Sequence, residues 1–321
     1  MAITSNCSLH AIQKGAILLS TGNLVVFPTE TVYGLGADAT NQEAIDSVYK
    51  VKGRPTGHPL IVHISDVLFL AEWARDVPEY AMKLSNIFWP GPMTLVLPRT
   101  ELAKNFITGG QDNVALRIPS HPVALELLKE FEKLGGLGVA APSANRFGKV
   151  SPTTALAVEI ELGEYLSNSD LILDGGTSKV GVESTIIDCT SELPVILRPG
   201  GVTAEMIQEV LEVELDLGFV ANKETKVPGM LLSHYSPNAK VFLSGTPLPG
   251  DGFIALSHIP TPEKVIRLAS PINVKEYAQQ LYSAFRLADS KRLKKIFVRP
   301  PTGKGLAIAV NDRLTKAAYD T

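Results

Sequence analysis

The chain has 321 residues, which is more than one hydrophobic core usually supports, so two domains are expected. Its net charge of −3 lacks the overall basic character of proteins that bind nucleic acid tightly and without sequence preference. The two cysteines, Cys7 and Cys189, are too few for a disulfide framework and form no Cys-x-x-Cys pair for structural zinc. Both are expected to be small buried or neutral side chains.

The N-terminal residues contain neither the basic stretch nor the apolar run of a signal peptide. No uncharged apolar run approaches the ~20 residues that a membrane span needs. The sequence therefore predicts a cytoplasmic protein without a membrane segment.

Helix and strand patterns alternate through the first two thirds of the chain. An apolar helical repeat over residues 9–19 follows Ser8, a residue type that suits the N-cap. A second helix is predicted behind the capping-box pair Thr40 and Glu43, and Gly53 is expected just beyond its C-terminal end. Further helices are predicted over residues 66–74, 79–88, 123–133 and 153–162.

Short apolar runs predict the strands that lie between these helices. They cover residues 24–27, 60–64, 94–97, 114–118, 138–141, 171–173, 185–188 and 195–197. Helices interleaved with strands are typical of a layered α/β domain. Because the last strands follow one another without helices between them, the sheet is expected to be mixed rather than purely parallel.

The composition of the sequence changes near residues 220–240, which are polar and interrupted by proline and glycine. We predict a first domain over residues 1–218, a linker over 219–239 and a small Rossmann-like α/β domain over 240–321. The short apolar runs of the last region cover residues 241–243, 253–256, 265–268 and 296–298, with a helical stretch at 274–287.

Several strands of the first domain carry polar or charged residues at or near their ends: Thr31, Arg117, Ser143, Asn145 and Arg198. A buried guanidinium costs several kcal/mol unless it is paired, so Arg117 and Arg198 need either a protein carboxylate or an anionic ligand. Ligands of open α/β sheets bind at the carboxyl ends of strands. If these strand ends converge, they frame one polar, cationic cavity.

Two further features allow two interpretations each. Lys50, Lys52 and Arg54 fit a solvated helix end, and spacing alone favours that interpretation, but the turn after Gly53 could also aim Arg54 at a phosphate. His63 lies in an apolar strand, where a histidine is usually a satisfied core residue; the alternative is a hydrogen bond to a substrate.

Familiar nucleotide and hydrolase motifs are absent from the sequence. The glycines at 34 and 36 do not complete a dinucleotide fingerprint, and no Gly-x-x-x-x-Gly-Lys-Ser/Thr loop occurs. There is also no His-Glu-x-x-His and no Gly-x-Ser-x-Gly. A nucleotide site in this chain would have to use arginines, lysines and hydroxyls.

Taken in order, eight segments resemble the YrdC-domain family. They are FPTETVYGLG (27–36), KGR (52–54), PLIVH (59–63), WPGPMT (89–94), ALRIP (115–119), APSAN (141–145), EST (183–185) and LRPG (197–200). The segment HYSP (234–237) is similar to the linker motif of the long form of this family, the threonylcarbamoyl-AMP synthases with an extra C-terminal domain. The resemblance implies a twisted mixed β-sheet with flanking helices and a large, positively charged cavity.

The resemblance also implies a reaction, in which L-threonine, bicarbonate and ATP with Mg²⁺ give threonylcarbamoyl-AMP, pyrophosphate and water. A separate transferase complex would pass the threonylcarbamoyl group to the tRNA adenosine beside the anticodon. With its net charge of −3, the chain itself is expected to bind tRNA weakly at most.

The family's functional residues carry over onto individual positions. Threonine contacts fall on Thr31, His63, Arg117, Ala141 and Ser184. ATP contacts fall on Arg54, His58, Asn113, Ser143, Ser151, Arg198 and Tyr235. The catalytic signatures stand as Lys52, Arg54, Ser143 and Asn145. His58 replaces a common asparagine or aspartate, Asn113 replaces a common threonine or serine, and no metal site built by the protein is implied.

The implied mechanism needs no covalent nucleophile. A carbamate formed on threonine would attack the α-phosphate, while Lys52, Arg54 and Mg²⁺ offset the charge that develops. Tyr235, in linker residues 227–238, would close over ATP as part of a lid.

Two other functions fit parts of the pattern. Carbamoyl transfer in hydrogenase maturation uses a related domain, but those proteins also carry zinc-binding cysteine motifs and an acylphosphatase module, for which this chain has no room. A noncatalytic RNA-binding module with the same fold is the second, and the net charge of −3 weighs against it.

Overall fold

The computed structural model describes residues 3–212, 226–229 and 234–319. Part of the predicted linker, residues 219–225 and 230–233, therefore lies outside the described residues. Within these described ranges, no helix is both long and apolar enough to cross a membrane.

The first domain is built on a large mixed sheet. In the part of the chain that the structure describes, this sheet has ten strands. They are β1 (Ile3–Asn6), β2 (Val25–Phe27), β3 (Gly34–Asp38), β4 (Ile61–His63), β5 (Met93–Pro98), β6 (Asn113–Arg117), β7 (Val139–Ala140), β8 (Leu171–Asp174), β9 (Thr185–Asp188) and β10 (Val195–Arg198).

Helices flank this sheet and connect most of its strands. They are α1 (Leu9–Ser20), α2 (Gln42–Lys52), α3 (Leu70–Trp73), α4 (Glu79–Phe88), α5 (Asn105–Thr108), α6 (Pro122–Lys133), α7 (Ala155–Leu162) and α8 (Ala204–Leu211), with a 3₁₀ turn at Val67–Phe69. The predicted α/β layering is confirmed.

The strand order is β1-β8-β2-β3-β7-β4-β6-β5-β9-β10. β4 and β6 run parallel, as do β5 and β9, whereas β5 pairs antiparallel with β6 and β9 with β10. The predicted mixed sheet is thereby confirmed. The β4–β6 register sets His63 directly beside Arg117, so two predicted site residues are neighbours across one strand pair.

Over the described residues 240–319, the second domain is a four-stranded parallel sheet with two helices. Its strands are β11 (Lys240–Phe242), β12 (Gly252–Ile254), β13 (Ile266–Ala269) and β14 (Lys295–Val298), and its helices are α9 (Val274–Ser290) and α10 (Leu306–Ala317). The order β11-β14-β12-β13 requires crossover connections, in agreement with the Rossmann-like prediction.

Helix ends follow from local chemistry, with one correction. Ser8 caps α1 as expected, because its side chain accepts a hydrogen bond from the Ala11 N–H. The predicted cap of α2 was wrong by one residue: Asn41, rather than Thr40, accepts from the Ala44 N–H. The Thr40 hydroxyl and N–H are instead engaged by Asp38, which removes this threonine from the capping position.

Gly53 ends α2 in the left-handed conformation, at φ 59°. A Cβ at this position would also come too close to the Arg146 guanidinium, which would have to shift. The turn leaves Lys52 on the buried side of the helix end and starts the loop that carries Arg54.

One hydrophobic cluster spans both domains. Val32, Val150 and Val182 of the first domain belong to the same buried cluster as Tyr282 and Phe285 of α9. The second domain therefore packs directly against the loops that hold the predicted site residues.

Candidate active site

The predicted strand ends converge on a single cavity, here called the site cavity, with a volume of about 60 Å³. Strands β4, β6 and β10, the loops after β2 and β7 and the loop before β9 all contribute side chains. The predicted site residues that line it are Thr31, Lys52, Arg54, His63, Arg117, Ala141, Ser143, Asn145, Ser184, Arg198 and Tyr235.

Arg117 has a protein carboxylate as its partner. Its Nη2 lies 2.7 Å from Glu30 Oε1, and both side chains are buried. Glu30 Oε2 also accepts from the Ser120 N–H, and Arg117 Nε donates to the Gly91 carbonyl. The cost of burying this guanidinium is thus offset within the protein.

His63 is neutral in this environment. Burial lowers its pKa to about 3, and the neighbouring positive charge of Arg117 acts in the same direction. Its Nδ1 is buried without a hydrogen-bond partner among the described residues. The ring is therefore available to a ligand as a hydrogen-bonding group without charge.

Hydroxyl groups also line the site cavity, together with the arginine and the histidine. Ser184 Oγ lies 2.8 Å from Thr94 Oγ1 and accepts from Arg198 Nη2 at 3.1 Å. Thr31 Oγ1 lies 2.8 Å from Thr29 Oγ1. The lining of the site cavity thus combines a paired arginine, a neutral histidine and hydroxyls.

Lys52 and Lys50 lie in different environments although they are two residues apart. Lys50 is exposed, as a solvated helix end predicts, whereas Lys52 is only 2% exposed. Lys52 Nζ donates to the carbonyls of Ser143 at 2.5 Å and Asn145 at 2.6 Å. Burial, and then the nearby charge of Arg54, lower the pKa of Lys52.

Arg54, like Lys52, lines the site cavity. Its Nη2 donates to the Pro59 carbonyl at 3.0 Å, and its Nε is buried without a partner in the described ranges. Its guanidinium carbon is 5.9 Å from the centre of the Phe147 ring. Burial lowers the pKa of Arg54 to about 10, and the charge of Arg198 adds to this effect.

Within the part of the chain that the structure describes, the hydrogen-bond partners of Arg198 are neutral acceptors. It donates to the Ser184 carbonyl through Nε at 3.1 Å and Nη2 at 2.9 Å, and to the Pro228 carbonyl at 3.0 Å. Among the described residues, none of Lys52, Arg54 and Arg198 forms an ion pair with a carboxylate. A buried cluster of this kind is suited to an anionic ligand.

Asn145 and Tyr235 each present a buried polar atom with no partner in the described part of the chain. These atoms are Asn145 Oδ1 and the Tyr235 hydroxyl. Tyr235 also has a positive φ of 60°, and burial raises the pKa of its hydroxyl. Both atoms belong to residues that line the site cavity, so each is a candidate ligand contact.

The other three predicted ATP contacts lie outside the lining of the site cavity. The Ser151 hydroxyl donates to Glu183 Oε1 at 2.6 Å, and the His58 ring lies 5.5 Å from that of Phe147. Asn113 begins β6, paired with Pro98. Their roles in binding stay predictions.

Several lining residues were not assigned roles from the sequence: Phe147, Glu183, Pro228, Gly229 and His234. Glu183 was visible only as the first residue of a matching motif. Burial alone would raise its pKa, but Arg313 and Arg198 lower it to about 2, so it is a carboxylate at neutral pH. No local sequence signal predicts this low pKa, because Arg313 lies 130 residues away.

A family model described as "Telomere recombination" matches residues 17–200, and one described as "Threonylcarbamoyl-AMP synthase, C-terminal domain" matches residues 202–319. The chain is 38% identical to a threonylcarbamoyl-AMP synthase of Pyrococcus abyssi, over 96% of this chain and 94% of that protein. It is 39% identical to the Bacillus subtilis protein of the same name, over 96% and 92%.

A solved structure has the same fold. The crystal structure of P. abyssi Sua5 complexed with L-threonine matches with a TM-score of 0.89 and 36% identity, over 99% of this chain and 98% of that one. The likeness therefore extends through both domains.

Proposed function

The chain belongs to the threonylcarbamoyl-AMP synthase family, and from this premise we propose that it is an L-threonylcarbamoyladenylate synthase. It joins L-threonine, bicarbonate and ATP into threonylcarbamoyl-AMP and releases pyrophosphate and water, which makes it a nucleotidyltransferase. One observation carries the proposal: a single cavity is lined both by an arginine paired with a carboxylate and by three cations that lack carboxylate partners in the described part of the chain.

Threonine would bind beside Arg117 and His63. Arg117 suits its carboxylate, because a planar guanidinium bonds two oxygens and Glu30 already fixes its position. Neutral His63 adds a hydrogen bond without adding charge. Thr31 and Ser184 supply hydroxyls, and the small side chain of Ala141 leaves space for the substrate.

The first chemical step forms a carbamate. Bicarbonate takes up a proton to give carbon dioxide and water, and the neutral amine of threonine adds to carbon dioxide with release of one proton. A new N–C bond results, and the carbamate oxygens carry the negative charge. The protein's part in this step is to hold the amine in place, because positioning alone contributes several kcal/mol.

In the second step a carbamate oxygen attacks the α-phosphorus of ATP. The bond from the α-phosphorus to the bridging oxygen breaks, and pyrophosphate leaves with the electron pair. Lys52, Arg54 and Arg198 offset the negative charge on the phosphate oxygens. Lys52 also holds the carbonyls of Ser143 and Asn145, which orients that loop toward the nucleotide.

We further propose that Mg²⁺ enters with ATP. In the described part of the chain, no group of three or more His, Cys, Asp or Glu side chains could hold a metal ion. Phosphate oxygens would therefore supply most of its ligands, as is common for Mg²⁺. Bound there, the ion would help to neutralise the departing pyrophosphate.

The site cavity must enlarge to admit the substrates, because about 60 Å³ is far below the roughly 300–1,000 Å³ of ordinary ligand sites. Linker residues Pro228, Gly229, His234 and Tyr235 form one of its walls. We propose that this wall withdraws when ATP enters and then returns over it, excluding water from a labile product. Residues 230–233 of the predicted lid lie outside the described residues.

The later fate of the product remains a prediction from the family. A tRNA threonylcarbamoyl-transferase complex would accept the activated group, direct contact with tRNA would be weak, and the protein would act in the cytoplasm.

Pyrophosphate release from ATP by the purified protein tests the proposal directly. Release should require both L-threonine and bicarbonate, and mass spectrometry should detect threonylcarbamoyl-AMP. Release with neither co-substrate would indicate simple ATP hydrolysis and would refute the synthase assignment. Absence of release from a folded protein whose RNA binding is not displaced by ATP would favour the RNA-binding alternative.

A further inference from the structure

The second domain contributes buried side chains that contact Glu183, a residue that lines the site cavity. Glu183, which lines the cavity, accepts from Ser151 Oγ at 2.6 Å, from the Tyr282 hydroxyl at 2.9 Å and from Arg313 Nε at 2.8 Å. Tyr282 and Arg313 come from α9 and α10 of the second domain. We call these four residues the Glu183 cluster.

Arg313 contacts the first domain at two places. Besides Glu183, its Nη1 donates to the Pro199 carbonyl at 2.9 Å, and its side chain is completely buried. Glu183 directly precedes Ser184, and Pro199 directly follows Arg198. Arg313 thus holds the backbone beside both partners of the Arg198–Ser184 hydrogen bonds.

The charges around the site cavity show why this contact matters. Glu183 is a carboxylate that lines the same cavity as Lys52, Arg54 and Arg198. Its ion-pair partner, however, is Arg313. In the second domain, Asp312 forms ion pairs with both Arg313 and Lys316. The carboxylate is therefore neutralised from behind, which leaves Arg198 free of any ion pair in the described part of the chain.

We propose that Arg313 and Tyr282 of the second domain are positioning residues of the first domain's active site, which hold Glu183 away from Arg198 and so keep Arg198 available for the phosphates of ATP. The inference rests on the proposed function, because it assigns phosphate binding to Arg198. Without Arg313, the buried Glu183 carboxylate would take Arg198 as its nearest available cation, and the two would compete with ATP.

Four variants test this assignment: Arg313→Met, Glu183→Gln, the double variant, and Arg286→Met as a matched control. Arg286 of α9 pairs with Glu161 of α7 at 2.8 Å, so its loss also removes an ion pair between the domains. Unlike Arg313, which bonds Glu183, Arg286 bonds Glu161 and the Val150 carbonyl. Each variant is assayed for the KM of ATP, the KM of threonine and the thermal midpoint.

Arg313→Met should raise the KM of ATP by about tenfold, because a buried carboxylate released from its partner competes for Arg198. The KM of threonine should change by less than about twofold. Adding Glu183→Gln should restore the KM of ATP to within about threefold of the wild-type value, since the competing charge is gone. Arg286→Met should leave both constants near wild type while lowering the thermal midpoint.

A merely structural role predicts a different pattern. The proposal is overturned if the double variant binds ATP no better than Arg313→Met, or if Arg286→Met weakens ATP binding as much as Arg313→Met does. If Arg313→Met does not fold, the double variant, which lacks both charges of the ion pair, still tests the proposal. Near-normal ATP binding by this variant supports the proposal, and strongly weakened binding overturns it. Calorimetric titration with ATP alone gives the same comparison if the wild-type protein releases no pyrophosphate, so failure of the proposed function remains distinguishable.

Discussion

Arg117 Nη2 lies 2.7 Å from Glu30 Oε1 and both side chains are buried, so this guanidinium is oriented before any substrate arrives. Arg198 differs, since only neutral acceptors hold it in the described part of the chain. The two arginines, similar in sequence context, are therefore suited to different tasks: a preset fork for one carboxylate and an unpaired charge for phosphates.

Arg117→Lys should separate geometry from charge. Lysine keeps the positive charge but lacks the planar fork, so the KM of threonine should rise by about tenfold. The KM of ATP should stay within about twofold of wild type. Arg99→Lys is the control, because Arg99 lies beyond β5 and outside the site cavity. Steady-state kinetics with each substrate varied in turn measure both constants, and equal rises in both would contradict the assignment.

Arg54→Ala should lower the rate of pyrophosphate release by about 100-fold or more, because it removes a buried charge that, in the proposed mechanism, offsets the charge of the transferring phosphate. Lys50→Ala is matched to it, since Lys50 is a cation near the same helix end but exposed. Lys50→Ala should retain nearly full activity. Circular dichroism confirms that both variants fold, and wild-type turnover in Arg54→Ala would remove Arg54 from the mechanism.

Tyr235→Phe isolates the hydroxyl that has no partner among the described residues. The ring still stacks on Tyr282, whose centroid is 5.9 Å away, so the thermal midpoint should stay the same or rise. If the hydroxyl contacts ATP, the KM of ATP should rise by about fivefold. Deleting the second domain would be a less clear test, because it also removes Arg313. An unchanged KM of ATP would show that Tyr235 closes the site by its ring alone.

Lowering the pH should reduce the free energy of unfolding, because His63 is buried in its neutral form. Its pKa is about 3 in the folded protein against an ordinary 6.5, so between these values the unfolded chain binds a proton that the folded protein excludes. Stability therefore falls as the pH falls through this window, by about 1.4 kcal/mol per pH unit for this group. His63→Gln should reduce that slope by the same amount in urea unfolding at pH 6.5, 5.5 and 4.5.

The control for this experiment is His10→Gln, because His10 is exposed on α1. Its pH slope should match that of the wild-type protein. Identical slopes for wild type and His63→Gln would mean that His63 is protonated in the folded state, and its role as a neutral hydrogen-bonding group would be lost.

Much of the first domain could be predicted from apolar periodicity and from glycine and proline positions. Strand β3 could not, because Gly34–Asp38 contains two glycines and shows no alternation, so only its motif was noticed. Asn41 caps α2 because Asp38 engages Thr40, an interaction that the capping-box pattern does not include.

Within the site, residues on neighbouring strand ends were predictable and distant partners were not. The environments of Lys50 and Lys52 follow from how α2 turns at Gly53, which spacing alone leaves open. Glu30 as the partner of Arg117, and Arg313 as the partner of Glu183, depend on tertiary contacts between segments 87 and 130 residues apart. No local pattern encodes such pairs.

The Glu183–Arg313 contact also has a consequence for protein synthesis. The ribosome makes Glu183 130 residues before Arg313, so the first domain can assemble its sheet while its buried carboxylate still lacks a partner. Until α9 has been made, Val32, Val150 and Val182 also lack Tyr282 and Phe285, with which they share a buried cluster. A nascent chain would thus carry a folded but immature first domain, and catalytic competence would be acquired late, when the second domain docks.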